Sequence, residues 1–503
     1  MKKKSFLNDL SFTFLAQFLV TIIGIILLKI LSKILPEEGL GAYLVIRRVV
    51  GLTFPLVTLN LGMSLSRYIS FDFKKANSYL LSTFFIITIL FFFLLIISQF
   101  CDKVLSEIFF GNASFSSLLI PMIVFLYVSS FQSVCINYFR GKHNFLYMNI
   151  INIVYWILSL IVLAFPCLYR DNYIVIIRRF FLLYAILDFI YLWATILFDK
   201  NFRYSFLNNL RKNFRNSYYK TEKEFFKYGI VRLPNGFFLS AIFTIPVIVA
   251  SSKISLNTAA YIGIIITIVR MVQLLGDPFN LLFLPKFSYF KAKNNKKLIH
   301  SSSQMVLEYI FTFPIIIGVI IYFLSPEIVT LWFGDKYSVV IKYLQLLSPF
   351  TGLLIGYILI RGILDGLYAF PYTNIITFCG FLGTGLVSIL TIKFNWDLLG
   401  LTLSVGIGIV FLGISSIYFL VRRQGLSMFN KKNICSIVWG FSIFILFNFY
   451  NRFFIIDSLC VSLILKSIVS IIISILSFLL YKKIKLEWIS EVAVRINSAA
   501  KKF

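Results

Sequence analysis

Long apolar stretches separated by short polar connections set the pattern of this chain. A helix that crosses a hydrocarbon core needs about 20 mostly apolar residues. That length marks fourteen candidate spans, near 11–33, 42–68, 78–99, 116–138, 147–169, 174–198, 226–250, 258–284, 304–324, 343–365, 371–393, 399–421, 435–456 and 459–481. The second and eighth are the most polar. The pattern predicts an all-α polytopic membrane protein, and the basic start MKKKSFLNDL leads directly into a retained first span. The longest polar stretch, about 199–225, is basic and aromatic-rich. It reads as a tether between two halves or as an amphipathic segment on an anionic membrane surface. No loop has room for a soluble catalytic domain.

Composition agrees and removes other classes. Of 503 residues, 59% are hydrophobic and 14% charged, against roughly 25% charged in soluble domains; the mean hydropathy is +0.90. The net charge of +28 would fit a nucleic-acid binder only in a soluble chain, so nucleic acid and disorder are both excluded. The charge is explained by its placement. With the N-terminus in the cytoplasm, 31 of the 48 Lys and Arg fall in cytoplasmic segments, 10 in outer connections and 7 within spans. This bias follows the positive-inside rule and predicts an even number of spans with both termini in the cytoplasm. The six cysteines are scattered without a CxxC, and His143 and His300 lie in polar connections, so no metal site is expected.

The chain repeats itself. GKHNFLYMNII from Gly141 and GLYAFPYTNII from Gly366 share six of eleven positions, among them Gly141/Gly366, Tyr147/Tyr372 and Asn149/Asn374. GAY at Gly41 matches AAY at Ala259, and IFFG ending at Gly111 matches TLWFG ending at Gly334. The offset is close to 220 residues each time and covers six spans. An even shift keeps topology, so the halves are related by a pseudo-two-fold axis along the membrane normal. The expected organisation is an N-lobe over residues 1–199, a basic cytoplasmic linker over 200–225, a C-lobe over 226–421, and two further spans with a basic tail over 422–503. Prolines in span 7 (Pro234, Pro246) and span 8 (Pro278, Pro285) are candidate hinges.

Charges inside a membrane are costly and mark candidate sites. The seven cations are Lys29, Arg47, Arg48, Arg232, Arg270, Arg361 and Lys466. Arg270, near the centre of span 8, is the leading cavity residue. Arg47, Arg48 and Lys29 either face the same cavity or snorkel to the outer interface, and Arg232 is a secondary contributor. Arg361 has Asp365 at i+4, a local ion pair, and Lys466 belongs to the appended spans. The acids in spans are Asp188, Asp277 and Glu308, the candidates for ion coupling; Asp277 is two turns from Arg270 and either pairs with it or carries a coupling proton. Five cations on spans 1, 2, 7 and 8 would line a cavity between the lobes, and phosphate oxygens suit arginine's forked donors.

Four segments carry a resemblance: NLGMSLSRYIS (Asn60 to Ser70), NYFRGKHNF (Asn137 to Phe145), FFKYGIVRLPNGFF (Phe225 to Phe238) and LSPEIVTLWFGDKYS (Leu324 to Ser338). They resemble the polysaccharide transporter family, which includes O-antigen flippases and belongs to the multidrug/oligosaccharidyl-lipid/polysaccharide exporter superfamily. The resemblance implies two six-helix lobes plus two C-terminal helices, about 14 in all. It implies a bacterial inner-membrane flippase, not an enzyme, that moves an undecaprenyl-pyrophosphate-linked oligosaccharide by alternating access. No cofactor is called for, although a proton or sodium gradient is a possible drive. A polysaccharide polymerase and chain-length proteins are the expected partners. Rival readings are a lipid II flippase, a multidrug antiporter of the same fold, and a membrane polymerase or glycosyltransferase. The last would need an outer loop with paired carboxylates, and none has one.

Overall fold

The computed structural model describes residues 4–165, 172–198, 218–310, 313–368, 370–427 and Lys466. The longer helices in chain order are α1 (Lys4–Ile34), α2 (Glu37–Thr58), α3 (Leu61–Phe71), α4 (Ala76–Phe100), α5 (Asp102–Phe110), α6 (Leu119–Gly141), α7 (Phe145–Leu163) and α8 (Tyr173–Phe198). The second half follows as α9 (Tyr218–Val249), α10 (Leu256–Met271), α11 (Gln273–Ala292), α12 (Lys296–Ile310), α13 (Phe313–Phe333), α14 (Val339–Leu347), α15 (Thr351–Leu367), α16 (Tyr372–Phe394) and α17 (Asp397–Gln424). No described residue is in a strand. Among the described residues, eleven helices are long and apolar enough to cross a membrane; α8 is also 26 residues long but carries Arg178, Arg179 and Asp188. The expected spans 13 and 14 lie outside the described residues, apart from Lys466, and so does most of the expected linker.

Local signals set the helix ends. Asn144 and Ser255 cap α7 and α10, accepting from the backbone N–H of Tyr147 and Thr258, the usual way to satisfy an orphan donor. Glu37 and Glu38 fill the first turn of α2, and Arg422 and Arg423 the last turn of α17, both favourable to the helix dipole.

The two halves pack in the same way. α7 lies on α1, and α16 on α9; α3, α4 and α8 surround α6 as α11, α13 and α17 surround α15. The repeated glycines are structural. Gly111 (φ 75°) and Gly334 (φ 93°) both occupy the left-handed region at the same turn of each half, where an L side chain would be strained. The halves meet at α2 and α10, the mates of the second repeat match. A Cβ on Gly41 would run into the carbonyl oxygen of Leu256, so this crossing depends on the missing side chain.

Three expected spans are divided, the tenth at a 3-10 turn over Ser348–Phe350 between α14 and α15. Leu59 and Asn60 both adopt positive φ (46° and 52°) and split span 2 into α2 and α3. The strain is offset across the lobe boundary, where Asn60 Nδ2 donates to the Arg232 carbonyl at 3.1 Å. Span 8 divides at Val272 into α10 and α11. Continuous apolar content hid the breaks in spans 2 and 8. The ninth span also ends later than expected. Ser325-Pro326 follows the expected end, yet α13 runs through it to Phe333, and the hydroxyl of Ser325 bonds back to Tyr322 O, the carbonyl a proline at 326 leaves free. This brings Glu327, beyond the expected end of that span at 324, into the buried interior.

Candidate functional site

The site forms where α2 crosses α10. Arg47 and Arg48 are neighbours on α2 and point roughly 100° apart. Arg48 reaches over to the other half. Its Nη2 donates to Thr267 Oγ1 at 2.9 Å and to Gly263 O at 3.4 Å, both on α10, and its own carbonyl accepts from Thr244 of α9 at 3.2 Å. One arginine therefore ties three helices together across the boundary between halves. This bonding is not that of a side chain snorkelling to an interface.

Arg47 turns into the N-terminal half. Its guanidinium lies over Trp156 of α7 at 5.0 Å and Phe125 of α6 at 6.0 Å, a cation–π seat. Its Nη1 is buried without a hydrogen-bond partner among the described residues. Arg270, in the last turn of α10, is exposed; its Nε donates to Gln273 Oε1 at 3.4 Å and its guanidinium lies 5.3 Å from the Phe243 ring. The carbonyl end of α10 favours a cation there. Arg48 lies in electrostatic reach of both Arg47 and Arg270, and Arg270 in reach of Arg47. Three of the five expected cavity cations are thus brought together.

The other two are elsewhere. Arg232 on α9 lies twelve residues before Thr244, roughly 18 Å along the axis. It packs over the Tyr228 ring at 4.0 Å, while Arg67 covers the same ring at 4.5 Å. These contacts form a latch between α3 and α9 at the opposite face. Lys29 is exposed on α1, a helix that packs mainly on α7 and α13.

The candidate acids also separate. Asp277 on α11 is exposed and in electrostatic reach of Arg361 and Arg270; the close ion pairs among the described residues include Arg361–Asp365 at 3.7 Å and Lys466–Glu327 at 2.5 Å. Arg361–Asp365 is the expected i, i+4 pair. Asp188 is sealed inside the N-terminal half at 1% exposure. Glu308 is half-buried on α12, which packs on α11 and α15.

Sequence reasoning missed the aromatic seat of Arg47 and the hydroxyl of Thr267. Neither has a spacing signature, because both partners come from other helices. The closure around the arginines is uneven. α9 packs along both α2 and α3, and Gly229 sits against Leu59. α1 has no comparable packing on α10 or α11, and there the apolar residues Phe14, Leu15 and Phe18 of α1 and Leu275 and Phe279 of α11 are exposed.

On the opposite side from the latch, the halves are tightly joined. Tyr261 Oη donates to Glu37 Oε2 at 2.5 Å, Trp332 Nε1 to Ile25 O at 2.8 Å, and Ser251 Oγ to Phe109 O at 2.5 Å.

Comparison with known proteins bears on the fold and the family. The fold is shared with a multidrug-resistance MATE family transporter of the MOP superfamily in an inward-facing conformation, at 14% identity, TM-score 0.63, over 86% of this chain and 95% of that one. It is shared with the lipid II flippase MurJ in an inward closed conformation, at 17% identity, TM-score 0.64, over 93% and 98%. A third likeness is to a MOP superfamily transporter from Pyrococcus furiosus, described as having a binding pocket of reverse polarity, at 14% identity, TM-score 0.57, over 88% and 95%. No curated protein sequence matches. Residues 6–290 match the sequence model of a family described as "Polysaccharide biosynthesis protein", more than half of the chain, and the chain belongs to that family, on the fold of the MOP transporters.

Proposed function

We propose that the protein is a flippase for an undecaprenyl-pyrophosphate-linked oligosaccharide, the repeat unit of an O-antigen, capsule or related polysaccharide. The observation that carries this reading is the convergence of Arg47, Arg48 and Arg270 at the α2–α10 crossing. Three guanidinia within electrostatic reach of one another, with Asp277 in reach of Arg270, give a region suited to a polyanion. Arginine's planar fork matches phosphate oxygens. The exposed apolar residues of α1 and α11 fit the complementary need, since a prenyl chain would stay in lipid while its pyrophosphate reaches the arginines.

The membrane is the bacterial inner membrane, and both termini face the cytoplasm in this reading, following the basic bias of the loops. Residues 1–199 and 226–421 are the two moving lobes. The joined face around Glu37 and Tyr261 is then the outer gate, and alternating access exchanges it for the latch around Tyr228. Lys29 and Arg232 act on the substrate's path rather than at its centre. A polymerase and chain-length proteins receive the product.

Deletion followed by analysis of lipid-linked intermediates tests the assignment. Complete repeat units should accumulate on the cytoplasmic side. Arg270→Ala should reproduce the accumulation at normal protein level; normal polysaccharide output from that variant refutes the role of Arg270. Accumulation of lipid II instead of sugar repeat units would transfer the function to the peptidoglycan precursor.

A further inference from the structure

Asp188 is the most deeply buried carboxyl group among the described residues. It is 1% exposed, and both carboxyl oxygens are buried without a hydrogen-bond partner among the described residues. The groups facing it come from each helix packed around α8. They are Cys135 of α6, Tyr155 of α7, and Tyr184 and Tyr191 of α8 itself. Behind the tyrosines, on α2, stand Tyr43 and Arg47, and Tyr155 and Tyr184 are in electrostatic reach of both Arg47 and Asp188.

A carboxylate with neither oxygen satisfied is too costly for such a place. It requires a proton or a bound cation. A metal cation needs several oxygen ligands, and the neighbours named here offer only tyrosine hydroxyls and one thiol. A proton needs none of these.

The surrounding hydrogen bonds make the site responsive. Tyr184 lies four residues before Asp188, on the same helix face. Its hydroxyl now donates to the Tyr155 carbonyl at 3.0 Å, and the Tyr155 hydroxyl sits 3.3 Å from Ser129 Oγ. The next residue, Trp156, is the seat of Arg47. If the acid releases its proton to solvent, the carboxylate becomes the strongest acceptor nearby and draws a tyrosine hydroxyl to itself. That breaks a bond at Tyr155, next to the ring that holds Arg47.

We propose that Asp188 is a proton-binding site of the N-terminal half, linked through Tyr184 and Tyr155 to Arg47 and so to the anion centre. The proposal rests on the flippase reading only for the identity of the natural anion. The proton and the anion then change each other's affinity by the same factor.

Two measurements on the purified full-length protein in lipid test it, and neither needs a lipid-linked sugar. In infrared difference spectra across a pH titration, the wild type should lose a protonated-carboxyl band that Asp188→Asn lacks throughout. Inorganic pyrophosphate binding should change about tenfold more with pH in the wild type than in Asp188→Asn, while the probe's own ionisation is common to both. Should Asp188→Asn fail to fold, Asp188→Glu keeps the acid and should shift the band and its midpoint. Identical spectra in wild type and variant overturn the proposal, and so does loss of the band on adding sodium at constant pH. Equal pH dependence of pyrophosphate binding overturns the link to Arg47. A proton site in a protein that moves no lipid-linked sugar would refute the flippase reading and leave this one standing.

Discussion

Asn149 and Asn374 occupy the same place in the two halves and make the same kind of bond. Asn149 Nδ2 on α7 donates to Thr13 Oγ1 on α1 at 3.0 Å, and Asn374 Nδ2 on α16 donates to Val231 O on α9 at 2.8 Å. Each ties the fifth span of its half to the first. The acceptor differs, a hydroxyl in one case and a carbonyl in the other, so the pairing of helices is kept while the atom is not. Interhelical hydrogen bonds in membranes are worth about 0.6–1.7 kcal/mol. Asn149→Ala and Asn374→Ala should each lower thermal stability in detergent by an amount in that range. The double variant should lose the sum, because the two sites share no partner. Fluorescence-monitored melting reads both, and a strongly non-additive double variant would count against independent halves.

That pair also shows what the sequence could reveal. The shared GxxxFxYxNII pattern was visible in one chain because both copies perform one structural task. The helical fold was equally visible, since hydropathy is a local property of each segment. The arginine cluster was half visible. Arg47, Arg48 and Arg270 stand out as charges in apolar runs, but the contact of Arg48 with Thr267 joins residues 219 apart, which no spacing encodes. Arg232 shows the limit. It lies near the cytoplasmic end of span 7, and only tertiary packing assigns it to the Tyr228 latch.

Arg48 is a structural tie as well as a charge. Arg48→Lys keeps the cation but loses the fork that reaches Thr267 and Gly263 together. It should lower both thermal stability and pyrophosphate affinity. Arg270→Lys, at an exposed position with one long bond to Gln273, should reduce affinity with little change in melting. Titration calorimetry with inorganic pyrophosphate, alongside melting curves, separates the two. Equal effects of both variants on stability would remove the bridging role of Arg48.

The crossing at Gly41 sets which face is closed. A side chain there collides with the Leu256 carbonyl, and backbone cannot yield as a flexible side chain can. Gly41→Val should part α2 from α10 at the end that carries the Tyr261–Glu37 bond. In a cysteine-free background, a cysteine placed at Ala260, fully buried in this state, should react faster with a polar maleimide when Gly41→Val is added. Tyr261→Phe, which deletes only the bond to Glu37, should give a smaller increase in the same assay. Unchanged labelling in Gly41→Val would mean that the crossing does not govern this face.

Lys466 joins the C-terminal segment to the second half through Glu327. The ion pair is short, 2.5 Å, with side-chain exposures of 11% and 4%, so both charges are largely shielded from solvent. Breaking such a pair from one side costs about 3–5 kcal/mol, whereas replacing both partners by apolar groups is often neutral. Lys466→Met should therefore destabilise the protein strongly, and Glu327→Leu combined with Lys466→Met should recover most of the loss. If the pair only anchors the segment, the double variant should also keep wild-type polysaccharide output. A double variant that is stable but inactive would show instead that these charges take part in transport.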